Sequence, residues 1–369
     1  MLWMYAAFVG LILLLLALDL GVFHRKAHVV SIKEALGWSA FWVALGLAFG
    51  IFIYAGYENH WLGLGLTPDM MTVTPQVVEG LGTAYNDGYS ATVKYITGYL
   101  VETSLAVDNI FVIAMLFAFF AVPAIYQHRV LFWGIVGALV MRGAMIAAGA
   151  QLLHQFTWIV YLFGGFLIVT GIKMLLVKTA KTDLNKNLVV RLTRRLIPIT
   201  ERFHGQHFFV RAGSSAGREP ALAGGMKESD CVVESAPSGA LLATPLLLAL
   251  IMVEVTDLIF AVDSIPAIFA ITADPFLVFT SNVFAILGLR SLYFALACMI
   301  DRFQYLKASL AFVLMIVGVK MMIHGWLKQV LGQHFNLYLL AVVLGVLLVG
   351  VLVSLLKPRR MPPMVGAQS

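Results

Sequence analysis

The sequence predicts an all-α polytopic membrane protein of about nine transmembrane helices, and three observations carry that reading. Hydrophobic residues make up 61% of the chain and charged residues 12%, where a soluble domain has roughly half and a quarter. Apolar runs near twenty residues, the length a helix needs to cross a bilayer, recur along the chain. They fall at 2–22, 37–56, 93–121, 130–151, 156–177, 241–271, 276–300, 308–327 and 335–356. Alternating ten-residue segments of the kind that build a membrane barrel are absent.

The basic residues orient these spans. With the N-terminus outside, the inward segments 24–36, 122–129, 178–240, 301–307 and 357–369 hold 3, 1, 10, 2 and 3 Lys or Arg, which is 19 of the 25 in the chain. The outward loop 57–92 has Glu58, Asp69, Glu79 and Asp87 and no base. This is the positive-inside pattern for an N-out, C-in protein. The formal charge of +6 therefore belongs to loops facing an anionic leaflet, and it does not point to nucleic acid. Residues 1–22 lack a basic n-region and a small-residue cleavage site, so they are read as a retained first helix. Two cysteines, Cys231 and Cys298, make no disulfide framework.

The chain repeats itself. LAVDNI (105–110) matches FAVDSI (260–265), and six residues before each Asp stands another acid, Glu102 in one copy and Asp257 in the other. VMRGAM (140–145) and GLRSLY (288–293) each place one Arg in a span, and VTGIKMLL (169–176) and IVGVKMMI (316–323) share G-x-K-M. Each copy spans three helices, an odd number, so the second is expected to lie inverted in the membrane. Inverted repeats are a common plan of secondary transporters, with the site between them near the midplane. The expected organisation is two N-terminal helices and an outward loop (1–92), a first repeat (93–177), a linker (178–240), a second repeat (241–327), and a last helix and tail (328–369). Within the linker, 178–211 is basic with spaced Leu188, Leu192 and Leu196 and is expected along the membrane surface. GSSAGREPALAGGMKESDCVVESAPSGA (213–240) has the composition of a flexible linker.

Six acids fall inside spans: Asp19, Glu102, Asp108, Glu254, Asp257 and Asp263. The bases counted there are Arg142, Lys173, Arg290 and Lys320. Lys173 and Lys320 lie near helix ends and are expected to snorkel; Arg142 and Arg290 are deep and read as counter-charges. If all are ionised, the repeats bring five acids against two deep bases. The excess has to be protonated or balanced by a bound cation. The alternative, that the acids only neutralise the arginines, leaves this excess unexplained. Asp257 and Asp263, six residues apart, lie about 240° apart around an ideal helix and cannot share one small ion on a straight one. Pro266 removes a backbone donor to the carbonyl of Val262 and so invites a break there. Carboxylates and carbonyls are hard donors suited to Mg²⁺, Ca²⁺ or Mn²⁺, and His and Cys are nearly absent from the deep spans, which disfavours zinc and copper. Asn109 and Ser264, each beside a repeat Asp, are candidate neutral ligands. Asp19 lies near the inward end of the first helix and is a weaker candidate.

The stretches GYLVETSLAVDNIF (98–111), VPAIYQHRVLFWGI (122–135) and EVTDLIFAVDSIPAIFAIT (254–272) resemble the TerC family of bacterial integral membrane proteins. The resemblance covers residues 1 to about 357. It implies a fold of the broad LysE-type transporter group and Mn²⁺ efflux across the bacterial inner membrane. The family's acidic motifs fall on Glu102, Asp108, Glu254, Asp257 and Asp263.

The expected function is therefore divalent-cation export, with Mn²⁺ as the transported ion and no prosthetic group. Moving a divalent ion out against an inside-negative potential costs ~4.6 kcal/mol per 100 mV. No nucleotide-binding P-loop is present to drive it, which leaves exchange for protons on the same carboxylates. The expected partners are the metal, protons and lipid, as a monomer or a homo-oligomer; no enzymatic activity is expected. Two rivals stand beside this: a Ca²⁺ or other hard-cation exchanger, and a non-transporting membrane anchor or metal-delivery factor.

Overall fold

A computed structural model describes residues 2–18, 31–72, 75–156, 158–176, 188–196, 198–212, 237, 239–297, 306–323, 326–327 and 335–356. Asp19 and both cysteines lie outside them. The described chain is mostly helical: α1 (Leu2–Leu18), α2 (Ile32–Glu58), α3 (Gly88–Phe119), α4 (Ala124–Gln155), α5 (Ile159–Leu176), α6 (Leu188–Leu196), α7 (Pro245–Phe269), α8 (Pro275–Ala297), α9 (Leu306–Met322) and α10 (Phe335–Leu356). Two short two-stranded antiparallel sheets pair β1 (Gln76–Val78) with β2 (Gly82–Ala84) and β3 (Phe209–Arg211) with β4 (Leu241–Ala243). Seven of the described helices are long and apolar enough to cross a membrane, and α1 and α9 contribute two shorter apolar helices.

Helix ends differ from the apolar runs for local reasons. α3 begins five residues before its run, because Asp87 caps it and accepts from Ser90 N–H at 2.7 Å. α4 starts directly after Pro123. The run expected from 241 starts instead with β4, and its helix opens at Pro245, where a missing N–H costs nothing. The break expected at Pro266 does not occur, and α7 runs on to Phe269. Pro266 forgoes its own bond to the Val262 carbonyl, yet one further turn of helix follows it. Its carbonyl still accepts from Ala270 N–H at 3.0 Å.

The helices pack as α3 on α8, α4 on α7 and α5 on α9, with α3 also against α7; α2 flanks α3 and α8, and α10 covers α9 and α3. Aromatic rings fill the seam of α1, α2 and α8, where Phe49 lies 4.8 Å from Phe284 and Phe8 lies 6.1 Å from Phe276. α5 and α9 touch backbone to backbone. A Cβ on Gly318 would stand 2.8 Å from the Gly164 carbonyl oxygen, and one on Gly171 would stand 2.8 Å from that of Ala311. Small residues permit this approach, which membrane helices use where lipid offers no hydrophobic drive. Gly318→Leu should therefore separate α5 from α9 and lower thermal stability in detergent by about 1–3 kcal/mol. Gly165, whose Cβ would meet nothing within 4 Å, is the control, and Gly165→Leu should melt like the native protein. Equal losses would contradict this packing.

Of the linker 178–211, residues 178–187 and 197 lie outside the described residues, and the rest gathers at one end of the bundle. The segment 198–212 docks on the helices. Ile199, Phe203 and Phe208 pack with Tyr126 and Leu246, and Val190 of α6 is buried there too. Thr244 anchors it, donating its hydroxyl to His207 O at 2.7 Å and its N–H to Phe208 O at 2.9 Å. The Arg129 guanidinium lies 5.5 Å from the Phe208 ring centre. Beyond β3, Ala212 N–H donates to Ala240 O, and Gly239 N–H donates to Ala212 O, both at 2.9 Å. The two ends of the insert are thus already joined, and loop closure depends only weakly on loop length. Replacing 213–236 by a short Gly/Ser linker should leave membrane levels within about twofold of native, checked by blot. Loss of the protein would show that the insert is needed for folding.

Candidate functional site

Arg142, midway along α4 and 3% exposed, is the hub of a polar cluster between four helices. Its Nε and Nη2 donate to the two oxygens of Asp257 on α7, at 3.2 and 2.9 Å. Its Nη1 donates to Asn282 Oδ1 on α8 at 2.9 Å and to Ser264 Oγ on α7 at 3.4 Å, and it forms an ion pair with Glu102 of α3. Asn109, also on α3, donates to Asp257 Oδ1 at 3.4 Å. A planar guanidinium can serve two carboxylates at once, as a point-charge Lys cannot. Glu102 and Asp257, the two acids the sequence aligned, thus meet on one base. Arg142 faces two carboxylates at once.

The other candidates lie apart. Glu254 is half-buried against α4, its carboxylate standing where a Cβ on Gly137 would be. Asp263 is half-buried and faces α5, accepting from Thr170 Oγ1 at 3.5 Å. Neither makes an ion pair among the described residues. Arg290, buried on α8, lines a cavity of about 20 Å³ with Asp257 and Gly134. The side chain of Asp108 lies outside the described residues. Among the described residues, no three His, Cys, Asp or Glu side chains gather closely enough to hold a metal ion. Asp257 and Asp263 point to different neighbours because α7 stays helical, and six residues turn them about 240° apart.

A second cluster, which the sequence reading missed, closes the opposite end. Lys94, in the second turn of α3, is fully buried against Asp69 of the 59–87 loop at 2.9 Å. Lys94 also donates to Thr72 Oγ1 at 2.8 Å and to Asn86 Oδ1. Asp69 further accepts from Asn86 Nδ2 at 3.2 Å, from Thr272 Oγ1 at 2.7 Å, and from the N–H groups of Met71 and Ala273 at 2.9 Å. Lys320 does not snorkel: it is buried, and its ammonium donates to Ala270 O. Lys173, in the matching position of α5, is exposed as expected. The signal for this cluster was a lysine inside the run 93–121 beside an acidic loop with no base of its own.

Burial alone would raise the Asp69 carboxyl. Lys94 and the bonds from Thr272 and Ala273 outweigh it and hold Asp69 below the usual carboxylate range. Its stabilisation is present above about pH 4 and lost as pH falls below that. Asp274, in the turn after α7, accepts from Tyr57 Oη of α2 at 2.9 Å and from Phe276 N–H at 3.0 Å. Burial and then the nearby Asp69 charge push it up to about 6. The folded protein therefore holds this proton more tightly than the unfolded chain. Its contribution is full below about pH 4 and is lost as pH rises through 6. Asp274→Asn should gain stability relative to native as pH climbs from 4 to 7, by melting of the detergent-solubilised proteins. A difference that stays constant with pH would contradict the assignment.

The model of the integral membrane protein TerC family matches residues 88–361. The chain belongs to the TerC family. It is 45% identical to "Uncharacterized membrane protein STKORF319" of Myxococcus xanthus over 97% of this chain and 94% of that protein. It is 42% identical to "Putative membrane-bound redox modulator Alx" of Salmonella typhi, over 87% and 85%. A membrane protein of Rickettsia bellii is 36% identical over 95% and 96%. No solved structure matches. Within this TerC chain the matched span covers both the Arg142 cluster and the acids on α7.

Proposed function

We propose that this TerC-family protein exports a divalent cation, Mn²⁺ first among candidates, in exchange for protons across a bacterial inner membrane. The observation that carries the reading is the surplus of intramembrane carboxylate over base. Arg142 is shared by Glu102 and Asp257, while Glu254 and Asp263 stand without an ion-pair partner among the described residues. Charged groups at bilayer depth mark ion and proton pathways. Hard oxygen donors suit Mn²⁺ over zinc or copper.

The pairing of α3 with α8, α4 with α7 and α5 with α9 supports reading α3–α5 and α7–α9 as two inverted copies. The N-out orientation follows from the distribution of basic residues. In this reading Asp263, with Asp108 in the matching place of the first copy, binds the metal. The Arg142 cluster holds the two copies together and keeps Asp257 charged until a proton or metal arrives.

A strain lacking other Mn exporters tests it. Expression of this protein should lower intracellular Mn and restore growth in high Mn, with Ca²⁺ and Mg²⁺ as competitors. Unchanged Mn with normal membrane levels would favour the anchor or delivery-factor rival. The name given to the Salmonella typhi relative raises a thiol-based alternative. Replacing Cys231 and Cys298, the only cysteines in the chain, should leave Mn tolerance intact if that alternative is wrong.

A further inference from the structure

We propose that Asp69 is the outer gate latch: it fastens the 59–87 loop to the turn between α7 and α8, and cation release requires that fastening to part. The inference rests on the transport reading above and adds a moving element to it.

The turn 270–274 joins the helix carrying Glu254, Asp257 and Asp263 to the helix carrying Asn282. It is held from three sides. Asp69 of the loop binds Thr272 and Ala273, Tyr57 of α2 binds Asp274, and Lys320 of α9 binds Ala270. Thr272, Ala273 and Asp274 are 1%, 6% and 0% exposed, so with the loop in place this end is sealed from water.

The bonds divide into two sets. Lys94, Asn86 and Met71 hold Asp69 within the loop and α3. Among the described residues, only the Thr272 hydroxyl and the Ala273 N–H tie Asp69 to the turn. The buried ion pair, costly to break, can stay intact while those two neutral donors exchange a carboxylate for water. Met71 of the loop also packs in one apolar cluster with Ala270 and Ile271, so the seam holds two hydrogen bonds and an apolar contact but no ion pair, and it can part while the Asp69–Lys94 pair stays whole. It lies at the end of α7 nearest Asp263.

The test uses a chain with Cys231 and Cys298 replaced by Ser and with Ala273→Cys. It is probed with a membrane-impermeant maleimide on right-side-out vesicles loaded with Mn²⁺ or left empty. With the latch native and no metal, labelling should be slow; internal Mn²⁺ should speed it at least about tenfold. Thr272→Val, which keeps shape and the ion pair but removes one tie, should speed labelling without Mn²⁺. It also guards against misfolding in the harsher Asp69→Asn. Mn²⁺ exit is followed in the same vesicles. Metal that leaves while labelling stays unchanged overturns the latch and spares the transport reading. Vesicles that release no metal overturn the transport reading, and the gate with it.

Discussion

Arg142→Gln is expected to destabilise the protein by ~3–5 kcal/mol, the usual result of removing one partner from a buried ion pair. The loss arises because Glu102 and Asp257, both buried, would face each other with no cation between them. The carboxylates themselves behave differently. Asp257→Asn leaves Arg142 balanced by Glu102, and Glu102→Gln leaves it balanced by Asp257, so each single change keeps a neutral pair. Each should cost about 1 kcal/mol or less. The double variant strands the guanidinium and should fall as far as Arg142→Gln. Thermal melting of the four proteins in one detergent gives the comparison. An additive double mutant would mean that the two acids do not share one base.

Asp263→Asn is expected to abolish Mn efflux while the protein inserts and melts normally. Asp263 is half-buried and is held by a long bond from Thr170 and by the charge of the exposed Lys173. Little structure depends on its charge, and removing a needless intramembrane charge should if anything favour insertion. Asn keeps shape and one carbonyl oxygen but loses the negative charge that offsets Mn²⁺ desolvation. Asp108→Asn, in the matching place of the first copy, should behave alike. Intracellular Mn with membrane levels checked by blot measures both. Wild-type efflux from both variants would show that these carboxylates are not the site.

That the chain is a bundle of apolar helices was legible because hydrocarbon leaves a one-dimensional record: about twenty apolar residues per crossing. Helix ends were less so, since hydropathy marks the hydrocarbon stretch while Asp87 and Pro245 set where α3 and α7 begin. Arg142 was legible as a counter-charge, but not that it would hold Glu102 and Asp257 together, because that depends on how α3, α4 and α7 pack. Pro266 misled because a proline removes one backbone bond without obliging a packed membrane helix to end there. The Asp69–Lys94 pair was hidden by distance: 25 residues and a loop separate its members. Lys94 looked like part of an apolar run, and only tertiary structure shows that the loop folds back to meet it.

In the proposed function, carboxylates of this bundle carry a divalent cation one way and protons the other. Purified protein in liposomes, with external Mn²⁺ and a pH dye inside, tests it directly, with Asp263→Asn as the control. The account predicts Mn²⁺ entry accompanied by proton exit from the lumen, both absent with Asp263→Asn. Mn²⁺ entry with no proton movement would contradict the exchange mechanism, and no Mn²⁺ entry at all would contradict the claim itself.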